Sequence, residues 1–144
     1  FNWDNLNDSI GNPKSAASMT FSHRAAPVMT TGIRSSAEIA VRAGMKYIQF
    51  NTISEEANIA IDEFLKAQLP TDSPVLNLDG TLNKLAKEGE KLFESYGCVQ
   101  CHPAPLYTDL DFHPSPIIGN DGGWESRDFA TPTLVEVWRS APYM

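Results

Sequence analysis

The stretch Cys98-Val99-Gln100-Cys101-His102 places two thiols and an imidazole within five consecutive residues, and it contains both cysteines of the chain. Few chemistries use all three side chains at this spacing. A structural disulfide ordinarily joins distant segments, and a redox dithiol of the C-x-x-C kind does not need the following histidine. A zinc site takes four ligands, and the chain holds two cysteines and three histidines. The C-x-x-C-H spacing is that of covalent haem attachment. Each thiol adds to a vinyl group, and the adjacent imidazole reaches the iron from one face. Cys98, Cys101 and His102 are therefore the expected binding set for one covalent haem c, with His102 as an axial metal ligand.

A chain of 144 residues has room for one ordinary domain or two small ones. Its 42% apolar and 20% charged residues are those of a globular protein rather than a disordered one. The net charge of −7 argues against nucleic acid, which selects basic faces, and against anionic membrane surfaces. It favours a redox partner protein with a basic docking face. No apolar run approaches the roughly 20 residues that span a bilayer. Phe1-Asn2-Trp3-Asp4-Asn5 lacks the basic and apolar regions of a signal peptide. The chain does not begin with Met, so it reads as a mature form or a segment of a longer polypeptide. Haem attachment takes place outside the bacterial cytoplasmic membrane, which implies a periplasmic or extracellular protein.

Leu69-Pro70-Thr71-Asp72-Ser73-Pro74 reads as a linker. It divides the chain into a unit at 1–70, a connection at 71–77 and a unit at 78–144. Helical spacing predicts a helix over 35–49, with Ile39, Ala40, Ala43, Gly44, Tyr47 and Ile48 on its buried side. Thr52 and Glu55 form a capping-box pattern for a second helix, whose apolar face is Ala57, Ile61, Phe64 and Leu65. A third is expected over 81–96, where Gly89 in the apolar stripe implies close packing of another helix. Gly97 then turns the chain into Cys98. Residues 103–130 show little regular pattern, and a last short helix is expected over 131–138. The fold class expected is all-α, a cytochrome c-like helical fold around the haem.

The second axial position of such an iron takes Met or His, or stays open for peroxide or oxygen chemistry. Met19, Met29, Met45, Met144, His23 and His113 are the candidates. Met144, 42 residues beyond His102, is the leading one for this haem, and His23 would serve a haem of the first unit. His113 lies only 11 residues after His102, which fits a hydrogen-bonding or surface role. Arg127 and Arg139 are the candidate cations for the haem propionates.

Glu88-Gly89-Glu90-Lys91-Leu92-Phe93 leading to Gly97 and the attachment motif resembles the approach to the second haem domain of di-haem cytochrome c peroxidases and MauG-type proteins. Tyr107-Thr108-Asp109 with Phe112-His113 resembles the same family. So do Phe129-Ala130-Thr131-Pro132-Thr133-Leu134 and Trp138-Arg139-Ser140-Ala141-Pro142-Tyr143-Met144. Residues 1–70 resemble the back of the family's first haem domain, notably in members fused to β-propellers. The resemblance implies a second haem attached upstream of Phe1 and further domains on the same polypeptide. Two functions follow. One is electron transfer through a covalent haem, as part of a larger di-haem protein. The alternative is a di-haem peroxidase or MauG-like oxidoreductase whose reactive haem lies upstream. With one attachment motif and no acid/base pair to set beside an open iron, electron transfer is favoured.

After denaturing electrophoresis the chain should retain one haem, visible by peroxidase staining. Combining Cys98→Ala with Cys101→Ala should abolish the stain.

Overall fold

Short polar side chains decide where the helices begin. In the computed structural model, which describes residues 2–3, 14–15, 18–114 and 128–141, Ser36 Oγ accepts from the Ile39 N–H at 3.3 Å and starts α1, Ala37–Ala43. Ser54 Oγ accepts from the Ala57 N–H at 3.2 Å and starts α2, Glu55–Lys66. Asn83 Oδ1 accepts from the Ala86 N–H at 2.8 Å and starts α3, Lys84–Ser95. Each cap satisfies an amide that has no partner inside its helix. Ser54, two residues later than the expected Thr52, takes the capping role. The helix expected over 35–49 is shorter than its pattern, because α1 passes into a π-helical turn at Gly44–Ile48.

The all-α expectation is corrected by the strands. Among the described residues, the three α-helices stand beside two antiparallel sheets of two strands each. β1, Asn2–Trp3, pairs with β2, Lys14–Ser15. β3, Phe112–Pro114, pairs with β4, Asp128–Ala130, with His113 opposite Phe129. The reason lies in the backbone. A proline-containing stretch cannot sustain helical bonding, so its N–H and C=O groups find partners across a strand pair. The helix expected over 131–138 shrinks to a 3₁₀ turn, Val137–Arg139. Upstream of it, tertiary bonds claim the amides: Thr131 donates to Asp111 O at 3.0 Å and Leu134 to Tyr107 O at 3.3 Å.

Among the described residues the interior is small and largely polar. Among the described residues the buried apolar side chains are Ala37, Leu65 and Phe129, alongside buried Thr20, Asn58, Asp62, Thr108 and Glu136. α2 turns Asn58, Asp62 and Leu65 inward, while Phe64 from its expected apolar face is 65% exposed. Asp62 explains the rotation. Its carboxylate accepts from Arg42 Nη1 at 2.8 Å and lies 3.1 Å from His23 Nε2. Burial opposes the charge on Asp62, but the bonds from Arg42 and His23 outweigh it and hold its carboxyl below the ordinary value. Arg42 also pairs with Glu55. Ile39, Tyr47 and Ile48, expected on a buried side, are exposed. Gly89 was expected to admit a packed helix; among the described residues no atom beyond its own helix comes within 4 Å of its Cβ position.

A second buried carboxylate ties distant parts of the chain together. Glu136 accepts from the Thr71 N–H at 2.8 Å, Ser18 Oγ at 2.7 Å, Thr20 Oγ1 at 2.8 Å and Arg139 Nη1 at 3.0 Å. The Thr71 amide, then the two hydroxyls, push its pKa down from 4.5 to about 2. Residues 18–20, 71 and 136–139 thereby share one anchor. Nearby, the Ala130 N–H donates to Thr30 O at 3.1 Å, fastening the 28–34 turn to β4.

Replacing Glu136 by Ala strands buried donors and should cost about 1–3 kcal/mol in urea unfolding. In the folded state the carboxyl titrates at about 2 and in the unfolded chain at 4.5. Its contribution is thus complete above 4.5 and is lost as pH falls towards 2. Glu136→Gln should remove that part of the acid-induced loss.

Candidate functional site

α3 ends where its sequence demands an end. Gly97, at φ 75°, occupies the left-handed region, and the chain then makes the 3₁₀ turn Cys98–Gln100. A side chain at such a φ is strained, which is why glycine suits the corner. The Gln100 N–H donates to Gly97 O at 3.0 Å and the His102 N–H to Cys98 O at 2.9 Å, so residues 98–102 form one tight turn. Cys98 is exposed, Cys101 half-buried, and both are free thiols.

The imidazole of His102 is oriented by the backbone. Its Nδ1 lies 2.8 Å from the carbonyl oxygen of Tyr107. A carbonyl only accepts, so Nδ1 carries the hydrogen and the lone pair resides on Nε2. Tyr107 sits at φ 52° and its carbonyl also accepts from Leu134. Its ring meets Phe93 of α3 edge-on, with centroids 6.3 Å apart and planes at 74°. Buried Thr108 donates to Thr131 O at 2.7 Å, Thr133 Oγ1 to Leu106 O at 2.6 Å, and the Asp109 N–H to Cys101 O at 2.9 Å. The 101–109 loop is therefore pinned at both edges.

This donor set fits haem c. Two free thiols separated by two residues meet an imidazole whose second nitrogen is engaged by a carbonyl, the arrangement that fixes tautomer and ring orientation in a metal-ligating histidine. Leu85, Leu92 and Tyr96 along α3, with Val99 in the turn, form an accessible apolar stripe leading to the attachment residues. Burying such a stripe against a porphyrin is favourable.

The other expected residues fall elsewhere. His23 belongs to a different network, its side chain 5% exposed, with Asp62 at Nε2 and Ser22 Oγ 3.4 Å from Nδ1. Arg139 bonds Glu136 and lies 6.0 Å from the Trp138 ring. Arg127 and Met144 lie outside the described residues. His113 bonds Asp109 Oδ2 at 2.8 Å with its side chain 45% exposed, in keeping with a hydrogen-bonding role. The backbone N–H of Asp111, then His113 and Thr131, push Asp109 down to about 2. The Tyr107 carbonyl escaped sequence reading, since a backbone atom leaves no signature. The i, i+4 spacing of Asp109 and His113 was the available signal for their pairing.

The chain is similar in sequence to hydrazine synthase subunit gamma of Kuenenia stuttgartiensis, with 36% identity over an alignment of 58 residues that covers 35% of this chain and 16% of that protein. Its fold matches a chain of xenon-pressurised Kuenenia stuttgartiensis hydrazine synthase with a TM-score of 0.75 and 21% identity. That match covers 100% of this chain and 62% of the other, so this chain spans less than two thirds of either relative. No family model matches. The expected kinship with di-haem cytochrome c peroxidases and MauG-type proteins is corrected by these relatives. The residues that carried it are short local stretches, which by themselves do not decide lineage. Among the described residues, no helix is long and apolar enough to cross a membrane.

Two glycines of this region should respond in opposite directions in urea unfolding. Gly97→Ala should destabilise by about 1–2 kcal/mol through left-handed backbone strain. Gly89→Ala, with open space at its Cβ, should stabilise by about 0.5–1 kcal/mol.

Proposed function

We propose that this chain is a cytochrome c-type redox protein that transfers electrons within a larger protein assembly. Cys98 and Cys101 would hold haem c through thioethers, and His102 Nε2 would ligate its iron. When bound, the haem supplies reversible one-electron exchange between ferric and ferrous iron. The observation that carries the reading is the 2.8 Å bond from His102 Nδ1 to the Tyr107 carbonyl, beside two free thiols. That bond makes the imidazole a better donor and keeps its ring from turning. The bonds of Thr108, Asp109 and Thr133 hold the loop still while charge changes nearby.

Partners follow from charge and from the relatives. Hydrazine synthase subunit gamma is, by its name, one subunit of an enzyme, which supports a chain that works against other proteins. A net charge of −7 supports a donor or acceptor with a basic docking face. Covalent attachment supports an exported, periplasmic or extracellular location. The connection at 71–77 is proposed to join two units of one polypeptide.

His102→Gly, produced in a host that attaches haem to C-x-x-C-H, should keep covalent haem but lose the wild-type absorption spectrum. Added imidazole should restore that spectrum, and a potentiometric titration of the wild type should follow a one-electron curve. An unchanged spectrum in His102→Gly would remove this residue from the iron and the reading with it.

A further inference from the structure

Between the 98–102 turn and β3, the structure brings together three metal-binding side chains of different chemistry. We propose that the haem-free chain binds one divalent ion of the zinc class at Cys101, Asp109 and His113, and that haem attachment at Cys101 abolishes this site; the second half rests on the haem reading above. One ligand atom from each residue lies within 4.8 Å of the other two. His113 Nε2 and Asp109 Oδ2 are 2.8 Å apart. Ligand atoms about 2.0–2.3 Å from a tetrahedral zinc ion sit about 3–4 Å from one another, so small side-chain shifts suffice.

The cluster is held from outside. The Asp109 N–H donates to Cys101 O at 2.9 Å, which clamps the two residues together. The Asp111 N–H donates to Asp109 Oδ1 at 3.0 Å and leaves Oδ2 to face His113. His113 is set by β3, opposite Phe129. Such outer contacts orient ligands and raise affinity. A thiolate, an imidazole and a carboxylate suit zinc or cobalt, whereas calcium and magnesium prefer all-oxygen sites. Cys101 is half-buried, the Asp109 side chain 19% exposed and that of His113 45% exposed, so an ion has access and water can fill a fourth position. Cys98 is outside the cluster, which separates the two thiols by role.

Attachment and metal binding draw on the same sulfur. In attachment the Cys101 S–H adds across a vinyl double bond: a C–S bond forms, the hydrogen goes to the other vinyl carbon, and nothing is oxidised. The product is a neutral thioether, no longer the thiolate that a zinc-class ion takes as ligand. The ion would mark chains awaiting haem and hold the 101–113 loop closed on itself until then.

Cobalt(II) is the probe. The full chain, produced haem-free in a host without attachment machinery, should bind one cobalt per chain and show a sulfur-to-cobalt charge-transfer band. Cys101→Ser and His113→Ala should each weaken binding by more than about tenfold, the former with loss of the band. Cys98→Ser should leave both unchanged, and the chain carrying both thioethers should show no band. A band that survives Cys101→Ser, disappears in Cys98→Ser or persists in the haem-loaded chain would overturn the proposal. So would failure of the haem-free chain to bind cobalt at one per chain. Failure of the haem reading shows separately, as absence of covalent haem in the attaching host, whatever cobalt does.

Discussion

The carbonyl oxygen of Tyr107 is the point on which the functional end of the molecule turns. It accepts from His102 Nδ1 and from the Leu134 N–H, so one atom orients the imidazole and fastens the C-terminal stretch beneath the loop. Its position follows from the left-handed backbone at Tyr107, a conformation costly for a side-chain-bearing residue and sustained here by its surroundings. Those surroundings are Phe93 against the ring, Thr133 on the Leu106 carbonyl and Thr108 on the Thr131 carbonyl. Backbone-to-backbone and hydroxyl-to-backbone bonds thus do what a hydrophobic core does in a larger domain.

The same economy governs the rest of the described residues. Among the described residues Ala37, Leu65 and Phe129 are the buried apolar side chains, and buried carboxylates organise the packing there. Asp62 draws His23 and Arg42 onto α2, while Glu136 collects two hydroxyls, an amide and a guanidinium from three regions. Buried networks of this kind hold a fold only when every member is satisfied, because an unpaired polar group in the interior is expensive. The accessible apolar stripe of α3 is the complement of this arrangement. Helix propensity and an Asn83 cap suffice to form it, without apolar packing from the rest of the described residues.

The relatives place these observations in context. A fold shared with a chain of hydrazine synthase, and a stretch of sequence shared with its gamma subunit, point away from the peroxidase kinship that the attachment residues resembled. A C-x-x-C-H turn preceded by an amphipathic helix and a glycine answers a geometric requirement, which any family that attaches haem this way must meet.

What the amino-acid sequence determined by itself was local. Thiols and imidazole within five residues, and a glycine able to turn sharply before them, are legible because each depends on neighbours in the chain. The position of α2 and of α3 was readable to within a few residues for the same reason. The tertiary structure decided whatever depends on distant partners. It turned α2 to bury Asp62 instead of Phe64, since a carboxylate with Arg42 and His23 as partners is better buried than left unpaired. It drew 131–136 out of a helix and into bonds with the 101–111 loop, and it set Asp109 and His113 beside Cys101. No periodicity announces a bond between residues that only folding brings together, and the His102–Tyr107 contact uses a backbone atom that every residue possesses.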